Sequence, residues 1–110
     1  MNRREEGKRA EDRAATYLDD LGYTIVTRRW SGRHGELDLV AMDHETLVFV
    51  EVKYRRRSLP ELSVSGAKSQ ALLAVAAEYA AKFGFSQVPQ RFDLVALDDD
   101  SIRHYQDIFR

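Results

Sequence analysis

Residues 36–42, Glu36-Leu37-Asp38-Leu39-Val40-Ala41-Met42, and residues 47–53, Leu47-Val48-Phe49-Val50-Glu51-Val52-Lys53, are two alternating runs separated by Asp43-His44-Glu45-Thr46. Successive side chains of a strand point to opposite faces, so the pattern predicts an antiparallel hairpin. A loop centred between His44 and Glu45 sets the register. Leu37, Leu39 and Ala41 then fall opposite Val52, Val50 and Val48 on one wholly apolar face. On the other face Met42 meets Leu47, Val40 meets Phe49, Asp38 meets Glu51 and Glu36 meets Lys53. That second face is apolar near the turn and carries four ionisable groups at its far end, whereas a merely solvated face is polar throughout.

The flanking segments supply the rest of a sheet and its cover. Ala10, Ala14, Tyr17, Leu18 and Leu21 recur at helical spacing, with Asn2 and Glu5 as a start signal and Gly22 at the C-terminal cap. Tyr23 to Trp30 is rich in β-branched and aromatic residues and reads as a strand, followed by a turn at Ser31-Gly32-Arg33-His34-Gly35. After a loop containing Pro60, Gly66 to Phe83 carries Leu72, Leu73, Val75, Ala76, Tyr79, Ala80 and Phe83 in the pattern of a buried crossover helix ended by Gly84. Arg91 to Leu97 is another strand, and Ile102 to Phe109 is expected to give a short edge strand and a frayed tail. The order α-β-β-β-α-β, with an optional last strand, defines an α/β fold in which helices flank a mixed sheet.

With 110 residues the chain makes one domain, 1–110. A content of 44% hydrophobic and 32% charged residues excludes a disordered or low-complexity chain. The absence of Cys removes disulfides, thiolate nucleophiles and Cys-bound zinc, and points to a reducing compartment, the cytoplasm. No apolar run approaches the roughly 18 residues of a membrane span, and the N-terminus has no hydrophobic signal core. A net charge of −1 argues against coating nucleic acid by bulk electrostatics, so local charge clusters matter more.

The principal cluster is the far end of the hairpin. Two carboxylates opposite each other on strands about 4.8 Å apart repel unless a cation sits between them or one keeps its proton. Asp38 and Glu51 are so placed, and hard oxygen donors without Cys or a His pair select Mg²⁺ or Mn²⁺. Lys53, two residues beyond Glu51, emerges on the same face. Paired carboxylates, a divalent ion and an ammonium group suit the hydrolysis of a phosphodiester. Glu36 is either a supporting partner of the ligands or the ion-pair partner of Lys53. Glu11, at the margin of the first helix's apolar stripe, is either solvated or reaches the metal through water. Arg28, Arg29, Arg33 and His34 before the hairpin and Arg55, Arg56 and Arg57 after it are expected to form a basic rim for phosphate contacts. His34, a single histidine beside glycines, carries no catalytic signal. Trp30 and Tyr54 are placed to stack on bases or to pack at the rim.

Asp38 followed after twelve residues by Glu51-Val52-Lys53 resembles the PD-(D/E)XK nuclease pattern, with Leu37 at the place of its proline. Gly7-Lys8-Arg9-Ala10-Glu11-Asp12-Arg13-Ala14, Gly22-Tyr23, Arg29-Trp30, Gly35 to Ala41, Phe49 to Lys53 and Arg91-Phe92-Asp93 together resemble the bacterial YraN family of endonuclease-like proteins over nearly the whole chain. The resemblance implies a restriction-endonuclease-like core, similar to that of archaeal Holliday junction resolvases. In that pattern a helix glutamate, a strand aspartate and the E-X-K pair form the site, which maps to Glu11, Asp38, Glu51 and Lys53. Gln70 is followed four residues later by Ala74 instead of tyrosine, which argues against a processive exonuclease.

The expectation is therefore a Mg²⁺- or Mn²⁺-dependent endonuclease hydrolysing structured or branched DNA, with Asp38 and Glu51 as ligands and Glu11 bound through water. Lys53 orients the attacking water, and Glu36 supports the ligands. A homodimer would allow two such sites to cut two strands. The alternatives are a nucleic-acid-binding module without turnover, and a protein-interaction domain in which the site is a vestige.

Overall fold

The computed structural model describes residues 2–55 and 66–109. Arg56, Arg57 and the Pro60 loop lie outside them. Helix α1, Arg3–Asp20, begins where the Asn2 side chain accepts the Glu5 N–H at 2.9 Å and so satisfies one of the first-turn donors. It ends in a Schellman motif: Gly22, at φ +98°, donates its N–H to Asp19 O, and Tyr23 N–H reaches Leu18 O. Only a residue tolerant of the left-handed region turns the chain so sharply into the next strand.

Five strands follow: β1 (Thr24–Gly32), β2 (Gly35–Asp43), β3 (Thr46–Tyr54), β4 (Gln90–Leu97) and β5 (Ile102–Tyr105). They lie side by side in sequence order. All neighbours are antiparallel except β3 and β4, which are parallel because helix α2, Gly66–Phe83, carries the chain back between them. This is the mixed sheet and element order expected, with β5 as the optional edge strand. The β2–β3 turn is centred between His44 and Glu45, with Met42 opposite Leu47 and Val40 opposite Phe49.

Each helix covers one face. Ala10, Ala14, Ala15 and Leu18 of α1 pack on Leu39, Ala41, Val48 and Val50. Leu72, Val75, Ala76 and Tyr79 of α2 pack on Val40, Leu47 and Phe49. The alanines on α1 admit the helix close to the sheet, while α2 contributes aromatic bulk. Trp30 serves packing, its ring edge-on to Tyr79 and Phe83.

Two expectations are corrected. Leu37 does not share the face of Leu39; it is buried in the α2-side cluster with Trp30. The face changes between Leu39, which packs under α1, and Leu37, and opposite this step on β1 Arg29 lies at φ +54°, between the paired positions Arg28–Leu39 and Trp30–Leu37. Strict two-residue alternation, on which the prediction rested, therefore ends between Leu39 and Leu37. The C-terminal segment is also docked instead of frayed: the Asp107 N–H donates to Asp93, the Ile108 N–H to Phe92 O, and Phe109 packs on Phe92.

At the β1–β2 turn Gly32 sits against α2. A Cβ there would lie 2.5 Å from Glu78 Oε1 and 2.6 Å from the Trp30 ring. The glutamate can swing away, but the indole is held by Tyr79 and Phe83. Gly32→Ala is therefore expected to cost about 1–3 kcal/mol, measurable by urea unfolding.

Candidate functional site

The β2–β3 ladder runs from Asp43–Thr46 to Leu39–Val50. Beyond it β3 continues beside β4 as far as Tyr54–Leu97. The expected direct pairs Asp38–Glu51 and Glu36–Lys53 thus lie past the end of the ladder. In its place the Val52 N–H donates to Asp38 Oδ2 at 2.9 Å. The carboxylate substitutes for a backbone acceptor just where the strands separate, which fixes its position.

The separation opens a cleft of about 260 Å³ between the strand ends and α2. Asp38, Glu51 and Glu36 line it, facing Ala71, Leu72 and Val75 of the helix, with His34 and Gly35 of the β1–β2 turn at its edge. Asp38, Glu51 and Lys53 are half-buried, and Glu36 is exposed. Three carboxylates there face the apolar side chains of Ala71, Leu72 and Val75. The oxygen donors of the cleft fit Mg²⁺ or Mn²⁺, which accept one or two protein carboxylates and complete their shell with water or phosphate oxygens. Among the described residues no group of three or more His, Cys, Asp or Glu side chains stands together closely enough to hold an ion by itself.

Glu11 is not among the residues lining this cleft. Its Oε1 is 2.5 Å from Arg29 Nε, in an ion pair that joins α1 to β1. That contact is the first reason the Arg29 guanidinium is held even more firmly protonated than usual, and the Asp38 and Glu36 charges add to it. Arg29 therefore stands electrostatically between Glu11 and the cleft. Arg28 pairs with Asp12 of α1. The expected basic rim is accordingly divided. Arg28 and Arg29 are engaged by α1, Arg33 is exposed at the β1–β2 turn, and Arg55 is exposed after β3, its guanidinium donating to Tyr54 O. Arg56 and Arg57 are outside the described residues. Tyr54 Oη donates to Asp99.

Two groups escaped the sequence reading. Glu78 of α2 accepts the backbone N–H groups of Arg33, at 2.9 Å, and His34, at 3.3 Å, and contacts His34 Nδ1 at 3.1 Å. The Arg33 N–H foremost, then the His34 ring and N–H, hold the Glu78 carboxyl below its ordinary range despite the opposing effect of burial. In the sequence Glu78 is one glutamate on an alanine-rich helix, with nothing to mark it. The second group is a buried network. Asp93, fully buried, accepts from both Arg91 Nε (2.9 Å) and His104 Nε2 (2.8 Å), and Arg91 also reaches Asp43 and Tyr23. Burial alone would raise the Asp93 pKa; the bonds from His104, Arg91 and the Asp107 N–H overcome it and hold the carboxyl below its usual range. The alternation Arg91, Asp93, Val95, Leu97, which sets opposite charges in line with core residues, was a signal for this network.

Asp98, at the end of β4, accepts from the Asp100 N–H, the Ser101 hydroxyl and N–H, and Arg103, and its carboxyl is lowered to about 2. A carboxylate depressed in the fold stabilises it above the ordinary Asp range, and the contribution vanishes as pH falls through the folded value. Stability is therefore expected to drop from pH 4 towards 2. Acid unfolding of Asp98→Asn should show a weaker pH dependence there than the wild type.

A five-stranded mixed sheet with a helix on each face, opening at an acidic cleft beside an E-X-K strand, defines a restriction-endonuclease-like core. The chain belongs to the uncharacterised protein family UPF0102, whose profile matches residues 10–97, the grouping of the YraN proteins that its motifs resemble. A UPF0102 protein of Geobacter sulfurreducens is 40% identical to it over 94% of this chain and 87% of its own. One of Desulforapulum autotrophicum is 42% identical over 86% and 81%. One of Lachnoclostridium phytofermentans is 36% identical over 99% and 96%. Among the described residues no helix is long and apolar enough to cross a membrane.

Proposed function

We propose that the protein is a divalent-metal-dependent endonuclease that hydrolyses phosphodiester bonds, with structured or branched DNA as its substrate. The observation that carries this reading is the convergence of Asp38 and Glu51 on one cleft, the former pinned by the Val52 N–H, at the point where β2 and β3 part. Asp38 and Glu51 would hold Mg²⁺ or Mn²⁺, which when bound supplies Lewis acidity at the phosphate and lowers the pKa of water. Lys53 follows Glu51 on the same strand face and serves to orient the attacking water and offset negative charge on the phosphate. The water oxygen adds to phosphorus, the bond to the leaving sugar oxygen breaks, and that oxygen takes up a proton. Glu36, beside Asp38 in the cleft, supports the ligands. Glu11, whose Oε1 pairs with Arg29, would join through a water accepted by its other carboxylate oxygen.

The same ion pair favours a second reading, a DNA-binding module of this fold without turnover. Incubation of the purified protein with labelled duplex, single-stranded and four-way-junction DNA separates the two. The enzymatic reading expects cleavage with Mg²⁺ or Mn²⁺ and none with EDTA. Salt-sensitive binding with no product under any metal would support the module instead.

A further inference from the structure

We infer that His34 is a substrate-binding residue of this cleft, presenting its Nε2 to a phosphate oxygen of the bound strand while Glu78 holds the ring in place. The inference rests on the phosphodiesterase reading above and adds to it a phosphate contact on the side of the cleft opposite β3.

The recess is lined by three carboxylates and by the aliphatic side chains of Ala71, Leu72 and Val75. A phosphodiester entering it is repelled by the acids where the divalent ion and Lys53 do not offset their charge, so a second donor at the edge away from β3 favours binding. Among the described residues lining the cleft, His34 carries the only side-chain nitrogen.

His34 is held there on purpose-built contacts. With Gly32 paired to Gly35, Arg33 and His34 form a two-residue turn. Both their backbone N–H groups converge on the Glu78 carboxylate, and Gly32 leaves no room for a Cβ between that carboxylate and Trp30. A carboxylate only accepts, so His34 Nδ1 donates to Glu78 Oε1, and Nε2 donates to a phosphate oxygen in the imidazolium form, which carries a proton on both ring nitrogens. An imidazole oriented by a carboxylate on its far side gives a directed donor to an anion, stronger than a neutral one. More than half of the His34 side chain is exposed, 56%, whereas Glu78 is 22% exposed, so the ring is accessible and its support is sheltered.

Asparagine and glutamine divide the two ring nitrogens between them. His34→Asn keeps a donor at the Nδ1 position and loses Nε2; His34→Gln does the reverse. In either variant the backbone N–H groups still tie the turn to Glu78, so the fold is retained. The probe is a fluorescein-labelled DNA duplex and four-way junction, with Ca²⁺ as the metal, read by fluorescence anisotropy. His34→Asn is expected to weaken binding by about tenfold, and His34→Gln by much less. In the wild type the His34 Hε1 NMR signal should shift on addition of the duplex. Binding by His34→Asn within twofold of wild type, or a His34 signal unmoved by bound DNA, overturns the role of His34 and leaves the phosphodiesterase reading standing. Failure of the wild type to bind either DNA overturns both.

Discussion

Asp38→Asn, Glu51→Gln and Lys53→Ala are each expected to reduce metal-dependent DNA cleavage by at least about a hundredfold, the scale on which preorganised charge acts in hydrolytic sites. Asparagine is the informative replacement at position 38. Its side-chain oxygen still accepts the Val52 N–H, which in the wild type reaches Asp38 Oδ2 at 2.9 Å, so strand geometry survives while the charge is lost. Alanine would instead leave that donor without its partner and cost stability as well. Because the three groups act on one reacting phosphate, the double variant Asp38→Asn/Glu51→Gln should be little worse than either single one. Cleavage rates fitted from gel time courses, with melting temperatures measured alongside, check this. Rates within a few-fold of wild type in all three would remove these residues from the chemistry.

The second large effect is on stability. Asp93→Ala is expected to cost about 3–5 kcal/mol, because it removes one of the two carboxylates on Arg91 and takes from the sheltered His104 ring and the Asp107 N–H the acceptor they share. Asp93 is 0% exposed and is bonded by Arg91, His104 and the Asp107 N–H. One carboxylate thereby joins β4 to β5 and to the C-terminal segment, and Arg91 extends the network to Tyr23 and to Asp43 at the end of β2. For a domain of this size the loss corresponds to a fall in Tm of more than about 10 °C. Differential scanning calorimetry measures it. Asp12→Ala should cost far less, because its pair with Arg28 is about half exposed on both sides and screened by water.

The hairpin register near its turn, both helices and the order of elements were legible because each rests on a strong local signal: two-residue alternation, Ala- and Leu-rich helical periodicity, glycines at the caps. The cleft was legible in outline, since Asp38 and Glu51 stand as opposed acids on a strand face that is apolar towards the turn. Its detail was not. Leu37 lies on the α2 face although Leu39 lies on the α1 face, and no residue type in Leu37-Asp38-Leu39 signals that break in alternation. The end of the β2–β3 ladder at Leu39–Val50 depends on how far β3 follows β4, a tertiary effect that alternation cannot express. Arg28 and Arg29, basic residues next to a predicted site, read as phosphate contacts until α1 is placed and supplies Asp12 and Glu11. Glu78 acquires meaning only when the β1–β2 turn is folded onto α2.

The carboxylates at the parted ends of β2 and β3 are proposed to bind a divalent cation. Titration of ¹⁵N-labelled protein with Mn²⁺, followed by two-dimensional NMR, tests this directly, since a bound paramagnetic ion erases nearby amide signals first. Early loss of the Asp38, Glu51 and Val52 signals is expected in the wild type, and their persistence in Asp38→Asn/Glu51→Gln. Uniform broadening, or a first loss around Asp98 to Asp100 with the cleft untouched, would contradict the proposal.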